Sequence, residues 1–226
     1  MTRKGTDGGE LLKIPPDARQ PFIQDYAEFA QLAYDLGGRR ALELPAARTS
    51  AAHEAGHAVM YATADKPPYM ASIWRVPVAN GYAGECSFGP DAPPFRLDTR
   101  TDPRRGLEYA AILLAGPLSE LLLTTDDYRY GSSIDEWMVA GTMIAGACQE
   151  LGCSPERIHT RLLDVVCQRL TEERQTLERV QRLLMREGRI RGPKLRALLS
   201  PVRRLDLAAV ILQVGHHQPQ PREVQS

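Results

Sequence analysis

Residues 49–62, TSAAHEAGHAVMYA, set two of the chain's five histidines four positions apart, with a glutamate directly after the first. On a helix, His53 and His57 stand one turn apart on the same face. One tetrahedral zinc ion can accept both imidazoles there. Glu54 lies about 100° round the helix from His53, beside such an ion rather than on it. From that place it can take a proton from a zinc-bound water. The H-E-x-x-H spacing thus offers two metal ligands, His53 and His57, and a catalytic base, Glu54, on one rigid segment. The competing reading is an alanine-rich core helix whose histidines are satisfied by backbone carbonyls. Two features weigh against it. An unpaired carboxylate is expensive to bury in so apolar a segment. Gly56 costs about 1 kcal/mol in a helix interior relative to alanine, which implies close packing at that point.

The 226 residues suffice for one domain with an N-terminal extension. Basic and acidic residues number 28 each, so no global field draws the chain to nucleic acid or to a membrane. Cys86, Cys148, Cys153 and Cys167 form no C-x-x-C pair and read as reduced thiols of a cytoplasmic protein. The opening MTRKGTDGGELLKIPPD lacks the apolar stretch of a signal peptide. The runs YAAILLAG and LAAVILQV are too short to cross a bilayer, so no membrane partner is expected.

Residues 1–44 read as an extension with one helix, in which Ile23, Tyr26, Phe29, Leu32 and Ala33 keep helical spacing up to Gly37-Gly38. The histidine helix should run from near Pro45 to Ala64. ASIWRVPV and YAGECSF lean to β structure and are joined by Ala79-Asn80-Gly81, a hairpin signal. Pro77 predicts that the first of these strands lies at a sheet edge. GPDAPPFRLDTRTDP reads as a long loop. LEYAAILLAGPLSELLL is apolar nearly all round and predicts a buried helix, kinked or restarted at Pro117. SSIDEWMVAGTMIAGACQELG is the next helix, closed by Gly152. From Pro155, the spacing of Leu163, Val166, Leu170, Leu177, Val180 and Leu184 predicts one or two long amphipathic helices. The expected fold class is mainly α with a small β-hairpin. Its main domain spans 45–205, and a C-terminal segment, 206–226, ends in a disordered tail.

Taken together, these motifs resemble the peptidase domain of the FtsH-type (M41) ATP-dependent zinc metalloproteases. AAHEAGHAV is similar to that family's zinc helix, and MASIWRVPVANGYAGECSF to the strand pair that follows it. ILLAGPLSELLL resembles its GGRAAEEL helix, with Gly116 and Glu120 matching. GSSIDEWMVAGTMIA resembles its GASNDIERAT segment, and LERVQRLLMREGRIRGPKLRALL its C-terminal helices. The likeness covers roughly residues 48–200. It implies a zincin-like fold and a zinc metalloendopeptidase acting on unfolded polypeptides or peptides.

Zinc in a hydrolase takes three protein ligands and keeps one position open. The resemblance implies Asp135 as the third ligand, at the place of the family's Asn-Asp aspartate. Ser132 to Asp135 also has the spacing of a capping box, but Ser133 to Glu136 fits that box as well and leaves Asp135 free. Glu120 is the alternative ligand. In the other reading it is a buried carboxylate that orients a histidine from behind the metal. The family pattern is broken where Gly-Gly-Arg becomes Ala115-Gly116-Pro117 and where Ile134 precedes the aspartate.

No G-x-x-x-x-G-K-[ST] occurs in the sequence, so the family's ATP-driven motor is not among these residues. A separate unfoldase or delivery partner is the corresponding expectation, and assembly as a homo-oligomer is another. A peptidase-fold module that binds peptides or a partner protein without cutting them is the alternative function. An edge strand at ASIWRVPV could hold a peptide by strand addition. Residues 182–204 carry eight Arg or Lys against Glu187 alone. That surface is read as solvated helix faces and a loop rather than a nucleic-acid site. His159 is read as a surface residue, and His216-His217 lack a structured third ligand.

Overall fold

Seven α-helices and a three-stranded antiparallel sheet make up the part of the chain that the computed structural model describes: residues 43–88, 102–124 and 133–213, with Glu28, Gln31 and Asp35. Those last three residues are helical, in line with the helix expected in the extension. The rest of that helix, most of the proline-rich loop and the tail with His216-His217 lie outside the described residues.

Helix α1 (Ala47–Thr63) is alanine-rich and buried on nearly every face. Small side chains allow this, because neighbours can approach the helix from all sides without leaving voids. The carbonyl of Ala46 starts it, accepting from the N–H groups of Thr49 and Ser50. Helix α2 (Pro103–Leu123) opens with Asp102 accepting from the Arg105 N–H at 3.1 Å and Pro103 in its first turn. Pro117 lies inside α2 and neither restarts nor ends it. The proline removes the N–H that Leu113 would receive, but packing on α1 and on the next helix holds the turn. At 21 residues α2 is longer than its apolar run suggests, and it is long and apolar enough to cross a bilayer. It is nevertheless a core helix by packing, since 78% of its apolar window is buried.

Helices α1 and α2 pack antiparallel. Gly56 faces Ala115 and Ser119, and at the far end Lys66 pairs with Glu108. Helix α3 (Ile134–Leu151) lies on α2 and ends at Gly152, whose φ of 64° suits glycine. The long amphipathic stretch divides into α4 (Pro155–Glu172) and α5 (Arg174–Glu187), and α6 (Gly192–Leu199) follows. Helix α7 (Leu207–Leu212) buries Leu207, Ala208 and Ile211 against α2 and α4, which ties the start of the C-terminal segment to the domain.

The sheet joins β1 (Met70–Val76), β2 (Gly81–Ser87) and β3 (Arg189–Arg191) in the order β2-β1-β3. The hairpin is as expected, but β1 is the central strand and not an edge. Pro77 sits outside it, in a 3-10 turn over Pro77–Ala79, so its missing N–H costs the ladder nothing. The short β3, which the periodicity of α5 hides, takes the other side of β1 at Met70, Ala71 and Ser72. In the basic stretch Arg186 and Lys194 pair with Glu187, while Arg189 and Arg191 are exposed.

His159 is buried near Trp137 rather than at the surface, because it falls on the inner face of α4. Burial lowers its pKa to about 4. The unfolded chain binds this proton near pH 6.5, so stability is full above that value and is lost as pH falls toward 4. His159→Gln should flatten the dependence of the urea midpoint on pH across this window; an unchanged slope would contradict the assignment. At Gly56 an added Cβ would lie 2.3 Å from the Ala115 carbonyl oxygen, which is backbone and cannot step aside. Gly56→Ala should therefore cost about 1–3 kcal/mol by overpacking, seen as a lower denaturation midpoint.

Candidate metal centre

The antiparallel contact of α1 with α2 brings His53 opposite Gly116 and Glu120, and His57 opposite Ile112. Gly116 makes the room: a Cβ there would lie 2.6 Å from His53 Nε2 and 2.7 Å from His57 Nε2. Each ring is oriented through its Nδ1 atom. His53 Nδ1 donates to Glu120 Oε1 at 2.6 Å, and His57 Nδ1 donates to the Ile112 carbonyl at 2.9 Å. A carbonyl and a carboxylate only accept, so both Nδ1 atoms carry a hydrogen, which leaves both Nε2 atoms to face Glu136 and each other.

Those two Nε2 atoms face each other at 2.9 Å. Glu136 meets them from α3, with Oε1 2.9 Å from His57 Nε2 and Oε2 3.1 Å from His53 Nε2. His53, His57 and Glu136 are the group whose ligand atoms converge closely enough to hold a metal ion. The 2.9–3.1 Å edges come within a few tenths of the roughly 3.3 Å edge of a tetrahedron with bonds of about 2.0–2.1 Å.

The carboxylate that meets the two histidines is Glu136, and Asp135, expected there, is not in that group. Both lie in the first turn of α3, but Glu136 stands in line with the buried Ala140, Met143 and Ala147, while Asp135 shares the exposed side with Val139 and Thr142. That periodicity is legible in the sequence and separates the two residues; alignment to a family motif does not. Glu120 behaves as the buried support of a histidine, 1% exposed and bonded to His53. Ser133, unnoticed in the sequence except as a cap, turns its hydroxyl to Glu120 Oε1 at 3.5 Å and forms no capping bond. Glu136 likewise faces the histidines instead of closing the capping box.

Glu54 is 4% exposed and packs its carboxylate on β2, where a Cβ on Gly84 would lie 2.4 Å from Glu54 Oε1. Its Oε2 atom, and those of Glu120 and Glu136, are buried without a hydrogen-bond partner among the described residues. Unsatisfied buried carboxylate oxygens are costly, and a cation answers that cost for the set as a whole. Burial raises the pKa of Glu54, only partly offset by His53 and His57. Burial also acts to raise Glu136, but the two histidines outweigh it and hold that carboxyl well below its usual range. Burial acts to lower His53, and Glu136 and Glu120 overcome it, raising that histidine well above its usual value. The group therefore competes for protons that a metal ion would displace.

A cavity of about 250 Å³ opens onto His53, Glu54, Glu136 and Asp135, with Tyr82 and Gly84 of β2 along one wall. Leu44 and Pro45 close one end. The edge strand on the side of the cavity is β2, not the ASIWRVPV strand. The Tyr82 N–H already donates to the Pro45 carbonyl at 2.9 Å, and Ser50 Oγ donates to the Tyr82 carbonyl at 3.1 Å. Alternation along an antiparallel strand then turns the backbone groups of Gly84 and Cys86 to the same outer side. No protein-family model matches the chain, and no curated protein matches it.

Loss of Glu136 in a Glu136→Ala variant should weaken zinc binding by more than the roughly 10–100-fold typical of losing a ligand's hydrogen-bond partner. Asp135→Ala should leave it within error. Competition with a chromophoric chelator measures both, and the reverse order would restore Asp135 as the ligand.

Proposed function

We propose that the chain is a zinc-dependent metallopeptidase with a zincin-like, FtsH-type arrangement, in which His53, His57 and Glu136 hold the ion. The observation that carries this reading is the pair of histidine Nε2 atoms 2.9 Å apart with a carboxylate across them. Two imidazole nitrogens and a carboxylate that converge on one point are placed as the ligands of a single cation are. When bound, such an ion polarises a carbonyl and makes a neighbouring water more acidic.

The chain's own groups supply the rest. Glu120 and the Ile112 carbonyl fix the two imidazoles, so the ligands need no reorganisation. Glu54, with Oε2 unpartnered beside the cavity, accepts a proton from the attacking water and returns it to the departing amine nitrogen. Its raised pKa moves it toward neutrality, where proton uptake and release are balanced. The outer backbone groups of Gly84 and Cys86 hold an extended peptide by strand addition, along the wall that Glu54 faces. Flexible tails, peptides and unfolded polypeptides are the substrates that can present such a strand.

The second reading, a module that binds peptides without cutting them, draws support from Pro45, which already occupies the Tyr82 end of the edge. Glu54→Gln separates the two. Cleavage of an unfolded protein such as casein should fall by at least about 100-fold, with zinc content unchanged. Equal cleavage by the variant would remove Glu54 from its role, and zinc retention without cleavage in the wild type would favour the binding module.

A further inference from the structure

The turn from α3 to α4 carries two cysteines, Cys148 and Cys153, on either side of Gly152. Gly152 takes φ 64° and ψ 37°, the left-handed conformation that commonly ends a helix. The Cys153 N–H then donates to the Cys148 carbonyl at 3.1 Å, the wide hydrogen bond of the Schellman motif. That motif sets the two side chains against each other, where an apolar pair often sits. Here the pair is two free thiols, hydrogen-bonded to one another. A disulfide needs Cα atoms about 4.4–6.8 Å apart, and the direct backbone bond holds these two residues close. The thiols are unequal. Cys148 is 2% exposed, and burial, aided by the hydrogen bond to Cys153, pushes its thiol up to about 12. Cys153 is half-buried and lines a second cavity, of about 210 Å³. The charged groups of its wall among the described residues are Arg157 and Arg161, and Arg161 Nε is buried without a hydrogen-bond partner. The pair lies at the opposite end of α3 from Glu136, roughly 18 Å along the helix, so it does not depend on the metal-centre reading.

We infer that Cys148 and Cys153 are a redox-active pair, which exchanges with an acidic low-molecular-weight disulfide and closes reversibly into an intramolecular disulfide. Cys153 reacts first, because the cavity opens onto it. Its thiolate attacks one sulfur of the small disulfide, whose S–S bond breaks and releases one small thiolate. Cys148 then gives up its proton, and its sulfur attacks Cys153 Sγ. The mixed disulfide breaks and the second small thiolate leaves. Two electrons pass from the protein dithiol to the reagent, and the two cysteine protons end on two small thiols. The guanidinium groups of Arg157 and Arg161 favour a reagent that carries carboxylates.

The test treats the full chain, folded and reduced, with glutathione disulfide. Remaining thiols are then blocked with N-ethylmaleimide, and intact mass and peptide maps are read. Cys148 and Cys153 should escape blocking, joined in one disulfide that dithiothreitol reverses, while Cys86 and Cys167 are blocked. Cys148→Ala should stop at a mixed disulfide with one glutathione on Cys153, and Cys153→Ser should leave Cys148 a thiol. In the double variant Arg157→Gln, Arg161→Gln, exchange with glutathione disulfide should slow by about two- to fivefold relative to exchange with neutral hydroxyethyl disulfide, the range for exposed ion pairs. A wild type with all its thiols blocked, a disulfide that includes Cys86 or Cys167, or equal oxidation of Cys148 in Cys153→Ser overturns the pairing. An unchanged rate ratio in the arginine variant overturns the preference for an acidic reagent.

Discussion

The close approach of two helices governs this molecule. Gly56 lets α1 lie against Ala115 and Ser119 of α2, and Gly116 lets α2 lie against the rings of His53 and His57. Both contacts are so tight that a methyl group does not fit. They are made between helices whose interfaces are rich in alanine and leucine, so the core fixes the separation before any polar group is considered. Once that separation is set, Glu120 and the Ile112 carbonyl fall at hydrogen-bond distance from the two imidazoles. The positions of the histidine rings therefore follow from packing, and the chemistry of the cluster follows from their positions.

Charge is the second constraint. Three carboxylates, from Glu54, Glu120 and Glu136, are brought to two histidines in a largely buried place, each with an oxygen that no described group satisfies. An apolar core gains nothing from such an arrangement, and removing charges from water costs several kcal/mol per ion when they are imperfectly paired. The arrangement makes physical sense around a divalent cation. Helix α3 contributes to it by directing one residue of its first turn inward and the preceding one outward. Adjacent acids thereby occupy different electrostatic settings: Glu136 among histidines, Asp135 in the open cleft.

Much of the fold was legible in the sequence because it depends on local patterns. The helix around His53 and His57, the hairpin at Asn80-Gly81 and the stop at Gly152 each rest on chemistry within a few residues. What was not legible depends on partners distant along the chain. The strand β3 is three residues long and exists only because β1 offers it an edge. The histidine partners Glu120 and Ile112 lie 67 and 55 positions away from His53 and His57. Pro117 suggested a break, and packing overrode it. The expectation of Asp135 is a different case. The inward face of α3 at Ala140, Met143 and Ala147 places Glu136, one residue on, beside the histidines, and that periodicity was present in the sequence.

The most direct test of the account is X-ray absorption spectroscopy at the zinc edge on the zinc-loaded, full-length protein, with metal content measured on the same sample. The account predicts one zinc per chain, with two imidazole nitrogens and only oxygen otherwise in its coordination shell, at about 2.0–2.2 Å. Failure to bind zinc stoichiometrically would contradict it. So would a sulfur at about 2.3 Å, which would place the ion on a cysteine instead of between His53, His57 and Glu136.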